Sequence, residues 1–268
     1  MTPELFKFSG FLAGLALFLA IESMAPARAW RNARAKRLGF HLVVAAFNQL
    51  VLRFTVLFPL LAVADHVHRE RWGFGAALGL PFWLEIPLSI VVLDFFDWIW
   101  HLSNHRVPFL WRFHKVHHVD TMNDVTTSLR FHPGELVISG FVKMSWLVIW
   151  GPSVWAFAIF ELLVTLSAQF HHANFDFPDR VEKRLAWIVM TPRGHLAHHS
   201  ATTRAIDMNF ATILSVWDRI FRTRVEPTPE HLVEQGLPYG RDRELDPAYL
   251  LTLPARPDPA PGGDAIPT

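Results

Sequence analysis

Four long apolar runs constrain the fold of this 268-residue chain more than any other feature. Each carries at most one charged residue, and their bounds are 8–21, 38–64, 73–93 and 144–170. A helix needs about 20 apolar residues to cross the hydrocarbon core of a bilayer. The last three runs reach that length, and the first does so with its flanks. Because a soluble protein could hardly bury four such runs, we predict an all-α, multi-pass membrane bundle of about four to five spans or hairpin helices.

The orientation of the bundle is indicated by a cluster of basic residues after the first run. The cluster contains no acid and consists of Arg28, Arg31, Arg34, Lys36 and Arg37. The positive-inside rule places such a segment in the cytoplasm, although it would also suit a linker touching anionic headgroups. Gly151-Pro152 breaks the last run, since proline ends or kinks a helix, and a helical hairpin is expected there. We also expect the first run to be a retained anchor with its N-terminus outside.

Eight histidines form three short boxes on the cytoplasmic side of this predicted topology. The boxes are His101 with His105, His114 with His117 and His118, and His195 with His198 and His199. Residues three and four apart share a helix face, so each box presents its imidazoles as a cluster. Imidazole is the commonest metal ligand, and eight are too many for one ion. We therefore predict two metal ions, each held by about four nitrogens, in a histidine-rich helical cap.

The choice of metal is left open by spacing alone. The chain has no cysteine, which excludes thiolate zinc sites and iron–sulfur clusters. Nitrogen-only sites suit iron, zinc or copper. Asp97, four residues before His101, is predicted to accept a ring N–H of a ligand histidine, with helix capping or a salt bridge as the alternative. Long apolar helices beneath the metal favour a lipid substrate, and oxidation of an unactivated C–H bond favours iron.

These motifs resemble the fatty acid hydroxylase/sterol desaturase superfamily of membrane di-iron enzymes, over roughly residues 85–225. Besides the boxes and their flanks at 97–118 and 191–199, the resemblance rests on four elements. These are Arg130-Phe-His132-Pro-Gly-Glu135, His171-His172-Ala-Asn174, Asn209 and Trp217-Asp218-Arg219-Ile-Phe221. The chain departs from the family pattern at Ala211 and Arg222, where we expect altered turn geometry rather than an altered metal site.

The resemblance implies that the eight box histidines and one or two others bind two iron ions (Fe2+/Fe3+), with zinc as a substitute. His172 matches the intermediate histidine best, His171 is second, and the role of His132 is open. It also implies hydroxylation or desaturation of a lipid, using O2 and electrons from a separate donor protein. Neither the substrate (a sterol, a fatty acyl or a related alkyl chain) nor the outcome is chosen. We predict no catalytic residue beyond the metal ligands and no nucleotide-binding motif.

We divide the chain into three parts. Residues 1–84 hold the N-terminal spans and basic loop, 85–225 the hydroxylase-like catalytic domain, and 226–268 a C-terminal segment with a proline-rich disordered tail from Pro254. The segment from Arg180 to Val189 is expected to be either an interfacial helix or an ordinary amphipathic cap helix.

Two other functions stay open: a zinc-dependent membrane hydrolase and a metal transporter. Transport is disfavoured because the runs carry only Arg53, Glu85 and Glu161 as charges, whereas transporters place ionisable residues along a path within their spans. A net charge of +1 argues against a nucleic-acid partner. We expect a bacterial inner-membrane location.

Overall fold

The computed structural model of the chain describes residues 1–30, 33–201 and 204–258. Within this part, regular structure is helical apart from two isolated β-bridges. The α-helices are α1 (Pro3–Met24), α2 (Arg34–Thr55), α3 (Leu57–Arg69), α4 (Phe74–Ala77), α5 (Phe82–Arg106), α6 (Pro108–His118), α7 (Pro133–Trp150), α8 (Val154–His172), α9 (Asp179–Leu185), α10 (Pro192–His198), α11 (Val216–Ile220), α12 (Pro229–Val233) and α13 (Pro247–Thr252). Short 3-10 turns occupy 125–129, 204–207, 241–243 and 253–255.

Three of these helices, α1, α2 and α8, are long and apolar enough to cross a membrane. The segment α3–α4 and helix α5 are together long and apolar enough for one further span, which would be bent by 81° between them. Large apolar side chains on these helices point outward, as Phe8, Phe54 and Trp83 do. The prediction of an all-α membrane bundle is therefore confirmed.

Proline and glycine set the breaks between these helices. The predicted second span is interrupted at Val56, between α2 and α3. Pro59 explains this difference, because it has no N–H to give to the carbonyl of Thr55 and its ring crowds that carbonyl. The predicted break at Gly151 is present, since α7 ends there in a left-handed conformation with a φ of 70°. Only a residue without a side chain adopts that angle freely.

Five helix ends meet at one side of the bundle, in the region that we call the cap (107–132, 173–201 and 204–258). Each end contributes a residue that contacts the cap or its histidines. In chain order these are Glu22 of α1, Arg37 of α2, His105 of α5, Glu135 of α7 and His172 of α8. Helix α7 therefore leaves the cap and α8 returns to it, as the predicted hairpin requires. The histidine boxes and the basic segment after α1 lie on the same side.

The basic segment is used inside the protein more than the sequence indicates. Arg37 is fully buried, where it donates to both carboxylate oxygens of Asp120 at 2.9 Å and to Asp124 at 2.7 Å. Arg34 pairs with Glu22 at 3.0 Å, and Arg31 lies outside the described residues. These bonds fasten the start of α2 to the loop that follows the second histidine box.

The start of the predicted disordered tail is packed against the cap. Residues 253–255 form a 3-10 turn, and the Asp258 carboxylate accepts from the Lys115 ammonium group at 2.8 Å. The ion pair fixes this segment on α6. The tail prediction is therefore left with residues 259–268, which lie outside the described residues.

Candidate metal centre

Nine histidines form two adjoining groups where the cap meets the ends of α5 and α8, and within each group the ligand nitrogens lie within 4.8 Å of one another. The first group is His101, His105, His114, His118 and His198; the second is His117, His172, His195 and His199. The nine are the eight box histidines and the intermediate histidine that the sequence favoured. Two of the boxes are divided between the groups, because adjacent residues on a helix point in different directions.

The third box is oriented by a capped helix start. Thr191 precedes α10, and its hydroxyl accepts the N–H of Gly194 at 3.1 Å. Pro192 occupies the first helical position, where the absence of an N–H costs nothing. The short helix then presents His195 and His199 to the second group and His198 to the first.

Backbone carbonyls and one carboxylate fix the orientation of five of the imidazoles. In each, Nδ1 lies within hydrogen-bonding distance of an oxygen. The pairs are His101 with Phe210 O at 2.7 Å, His114 with Glu135 Oε1 at 2.8 Å, His117 with Arg130 O at 3.1 Å, His172 with Ala168 O at 2.7 Å and His198 with Met208 O at 2.6 Å. A ring that donates from Nδ1 keeps its lone pair on Nε2. The surroundings therefore leave Nε2 free to bind a metal.

The second group has the dimensions of a single metal site. The Nε2 atoms of His117 and His172 are 3.1 Å apart, those of His172 and His195 are 3.1 Å apart, and those of His195 and His199 are 3.2 Å apart. Two nitrogens that each bind one ion at about 2.1 Å, at an angle near 95°, lie about 3.1 Å apart. The four nitrogens thus fit one transition-metal ion.

The first group contains buried nitrogens that need a partner. Nε2 of His114 and of His198, and both ring nitrogens of His105 and His118, have no hydrogen-bond partner among the described residues. Buried polar atoms in proteins are nearly always paired. A cation between these rings would satisfy several of them at once, so the donor set fits a second ion. The rings of His118 and His199 stack at 4.3 Å and join the two groups.

Three histidines of the cap are held in the neutral form that binds metals. Burial, reinforced by neighbouring imidazoles, lowers the pKa of His118, His195 and His199 well below the ordinary value of histidine. A buried imidazolium would be surrounded by other rings without a counter-charge. The lone pairs are consequently available at neutral pH.

The element Arg130-Phe-His132-Pro-Gly-Glu135 contacts the second box on the Nδ1 side of its imidazoles. The Arg130 carbonyl and the Glu135 carboxylate hold two of its imidazoles, as described above. His132 itself lies outside both groups: its Nδ1 accepts the N–H of Gly134 at 2.9 Å, which caps α7, and its Nε2 is 3.3 Å from the Leu251 carbonyl. Sequence reasoning noted the motif but did not identify Glu135 as the residue that orients His114.

A strap at residues 208–210 holds one histidine of the first box and one of the third. Asn209 has a φ of 57°, which lets the carbonyls on either side of it reach His198 and His101. Its amide group donates to the carbonyls of Gly194 and Val225. Sequence reasoning singled out Asn209 without assigning it this role.

Asp218 fixes the strap to α5. Its carboxylate accepts the backbone N–H of Phe210 and Ala211 and the indole N–H of Trp98. Arg222, the second departure from the family pattern, has a φ of 58°, an angle that glycine adopts without strain. Ala211 and Arg222, the two departures from the family pattern, thus lie in the residues that support the strap, and neither contributes to the histidine groups.

Two further predicted residues lie beside the groups. Nδ1 of His101 faces the Phe210 carbonyl at 2.7 Å, while the buried Asp97 side chain lies near Lys143. The acceptor beside Nδ1 of His101 is thus the Phe210 carbonyl and not Asp97, the acceptor that the sequence predicted for a ligand histidine. The His171 ring packs at 3.9 Å from that of His195, but His171 belongs to neither group.

Comparison with known proteins gives a family match over the part of the chain that carries these residues. The family model described as fatty acid hydroxylase matches residues 86–223, about half of the chain. The match contains all nine grouped histidines, Glu135, Asn209 and Asp218. No solved structure gives a significant match.

Curated relatives are similar at low identity. Alkylglycerol monooxygenase of Xenopus tropicalis is 32% identical over 147 residues, which cover 52% of this chain and 30% of that protein. Cholesterol 25-hydroxylase of Mus musculus is 27% identical over 172 residues, covering 62% and 56%. Ornithine lipid hydroxylase of Rhizobium tropici is 25% identical over 183 residues, covering 68% and 52%. The alignments thus span less than two thirds of each of these relatives.

Proposed function

The chain belongs to the fatty acid hydroxylase family, and we propose that it is a membrane-bound di-iron oxidoreductase that hydroxylates or desaturates a lipid. The observation that carries the proposal is the pair of buried histidine groups at the ends of apolar helices. Hydroxylation is favoured because the relatives described above are named as monooxygenases and hydroxylases.

We assign five histidines of the first group and four of the second as ligands of one iron ion each. Iron bound there would supply the redox chemistry that allows O2 to attack a C–H bond. The protein's own part is to keep the imidazoles neutral, to orient them through Glu135 and the carbonyls of the strap, and to exclude water. The full burial of His118 and His199 supports that last role. Zinc is a possible substitute in the same nitrogen-rich site.

The substrate class follows from the position of the groups. The first group is carried partly by the last turns of α5, and the second by the end of α8, so both adjoin the membrane-spanning part of the protein. An alkyl chain can reach them from the bilayer without passing through water. Relatives named for a sterol, an alkylglycerol and an ornithine lipid support a lipid substrate. We also propose that a separate protein supplies the electrons.

We further propose that the cap faces the cytoplasm. The support is the basic segment after α1, which lies on the same side of the bundle as both histidine groups. Arg37 is buried and Arg34 pairs with Glu22, but the positive-inside rule counts basic residues rather than net charge, and residues 28–37 contain no acid. The rule therefore supports a cytoplasmic cap, and we propose that the electron donor acts on the same side.

The proposed reaction is tested by lipid profiling of cells that express the chain and are grown under oxygen-18. We expect a lipid alcohol that carries one labelled oxygen and is missing in cells expressing His105→Ala, because that variant removes a first-group nitrogen. A new double bond without label would assign desaturation instead. An unchanged lipid profile with a competent reductase supplied, or cleaved lipids without O2 consumption, would contradict the proposal and favour the zinc hydrolase.

A further inference from the structure

The cap carries an exposed apolar surface that the metal centre does not use. It is formed by α9, the turn that follows it and α11, and we call it the α9–α11 face. Its apolar members are Val181, Trp187, Ile188, Val216, Ile220 and Phe221. Trp187, Ile188 and Ile220 are 68%, 63% and 59% exposed, which is unusual for large apolar side chains grouped on a water-facing surface.

The α9–α11 face lies beside α5 at the depth of its membrane-spanning part. The Asp94 carboxylate accepts the backbone N–H groups of Ile213 and Leu214. Asp94 precedes His101 by seven residues, about 10 Å further from the cap along the helix. Ser215 N in turn donates to the Ile188 carbonyl at 3.1 Å. The exposed Ile188 is thereby held near the level of Asp94.

Aromatic stacking joins the same face to α5. The Phe221 ring stacks on that of Trp98 at 4.6 Å and on that of Phe95 at 5.7 Å. Ile99, on the outer surface of α5, is exposed. The apolar surface of the cap thus continues the apolar surface of a helix that we place in the bilayer.

The charges around the face complement an anionic lipid surface. Arg180, Lys183 and Arg184 are exposed on α9. The acids of that helix are otherwise engaged: Asp179 pairs with Arg193 at 2.8 Å, and Glu182 is buried and accepts from the Thr191 hydroxyl. Basic residues beside exposed aromatic and aliphatic ones are typical of a helix lying in the headgroup region.

Arg219 stiffens the turn that carries Trp187. Its guanidinium group lies 4.0 Å from the centre of the Trp187 ring and donates to the carbonyls of Ala186 and Trp187. These carbonyls follow the last turn of α9, where backbone acceptors lack partners within the helix. The Ser215 hydroxyl and Arg224 also donate to the Ala186 carbonyl. The tryptophan is therefore presented outward by a fixed turn.

We propose that the α9–α11 face is embedded in the bilayer surface, with its apolar side chains below the headgroups and its basic residues bound to anionic lipids. Of the two expectations for the segment from Arg180 to Val189, the proposal favours the interfacial helix over the ordinary amphipathic cap helix. It also places the metal centre at the edge of the acyl region. The inference does not depend on the proposed reaction, because it concerns the position of the cap and not turnover.

The test uses the absence of cysteine from the chain, which makes a single introduced cysteine a unique labelling site. The full chain carrying Trp187→Cys or Ile220→Cys is spin-labelled in nanodiscs of phosphatidylcholine and phosphatidylglycerol. Val233→Cys is the matched control, because Val233 on α12 is 63% exposed but lies outside the face. Collision with O2 reports an apolar environment, and collision with a water-soluble nickel chelate reports water.

We expect the ratio of O2 to nickel accessibility to be several-fold higher at positions 187 and 220 than at 233. We also expect phosphatidylglycerol to be enriched in the lipid that co-purifies, and the enrichment to fall in the variant Arg180→Gln/Lys183→Gln/Arg184→Gln. Nickel accessibility at 187 and 220 equal to that at 233 would place the face in water and indicate a protein partner. Unchanged enrichment in the triple variant would overturn the assignment to anionic lipid.

Discussion

Replacement of His172 by alanine is expected to remove one of the two metal ions and to lower lipid oxidation by more than about 100-fold, a larger loss than removal of a residue behind a ligand gives. The second histidine group has four members, and the Nε2 atom of His172 lies 3.1 Å from those of both His117 and His195. Without it, three nitrogens remain and the site is open on one side. The first group, with five members, should keep its ion.

His171→Ala is the matched control for this prediction, since the two residues are adjacent at the end of α8 and equally buried. His171 belongs to neither group, so we expect its variant to retain both ions. Metal content per chain and product formation are measured on the same preparations. Two ions in His172→Ala would contradict the assignment of His172 as a ligand. The loss of one ion in His171→Ala would instead identify His171 as a ligand.

Replacement of Asp120 by alanine is expected to destabilise the protein by about 3–5 kcal/mol, because it removes one of the carboxylates that compensate two buried cations. The carboxylate is fully buried and bonds Arg37 through both of its oxygens. Burial alone would raise the pKa of Asp120, but Arg37 and Arg130 hold the pKa below its ordinary value. Asp120 is therefore charged at neutral pH, and its loss leaves Arg37 and Arg130 under-compensated.

Thermal unfolding in detergent measures this effect, with Asp242→Ala as the control because Asp242 is exposed on the cap. The control should unfold at the wild-type temperature. Since the folded-state pKa of Asp120 is lowered, its stabilisation is complete above about pH 4 and disappears only as the pH falls further. An Asp120→Ala variant that unfolds at the wild-type temperature would show that the buried charges are compensated by other groups.

The membrane bundle and the convergence of the box histidines could be predicted because both depend on short-range patterns in the sequence. Apolar runs have the length of a span, and residues three or four apart share a helix face, so both features can be recognised without tertiary contacts. The family resemblance is confirmed by the match over residues 86–223. Metal binding by the nine histidines stays a prediction.

Tertiary contacts decided what the sequence left open. The division of the second and third boxes between two groups depends on how α6 and α10 are docked, which box spacing does not determine. Nothing local separates His41 from the exposed His66, although His41 is fully buried between Thr126 and Arg130. The sequence did not identify Glu135 as the partner of His114, because the two residues meet only when α7 starts beside the cap.

The break of the second span could have been anticipated from Pro59, whose effect on the carbonyl four residues earlier is local. The packing of residues up to Asp258 against the cap could not have been anticipated, because it depends on an ion pair between Asp258 and Lys115. A proline-rich composition indicates weak helical propensity and does not exclude docking of an extended segment.

Metal analysis of the full chain, purified without a polyhistidine tag from iron-replete cells, tests the central claim most directly. The two groups contain nine imidazoles at the spacing of two metal sites, so we predict about two iron ions per chain. The same measurement on His68→Ala, which alters an exposed histidine far from the groups, should give the same content. Stoichiometric zinc without iron would contradict the di-iron assignment, and a metal content near zero would contradict the metal centre itself.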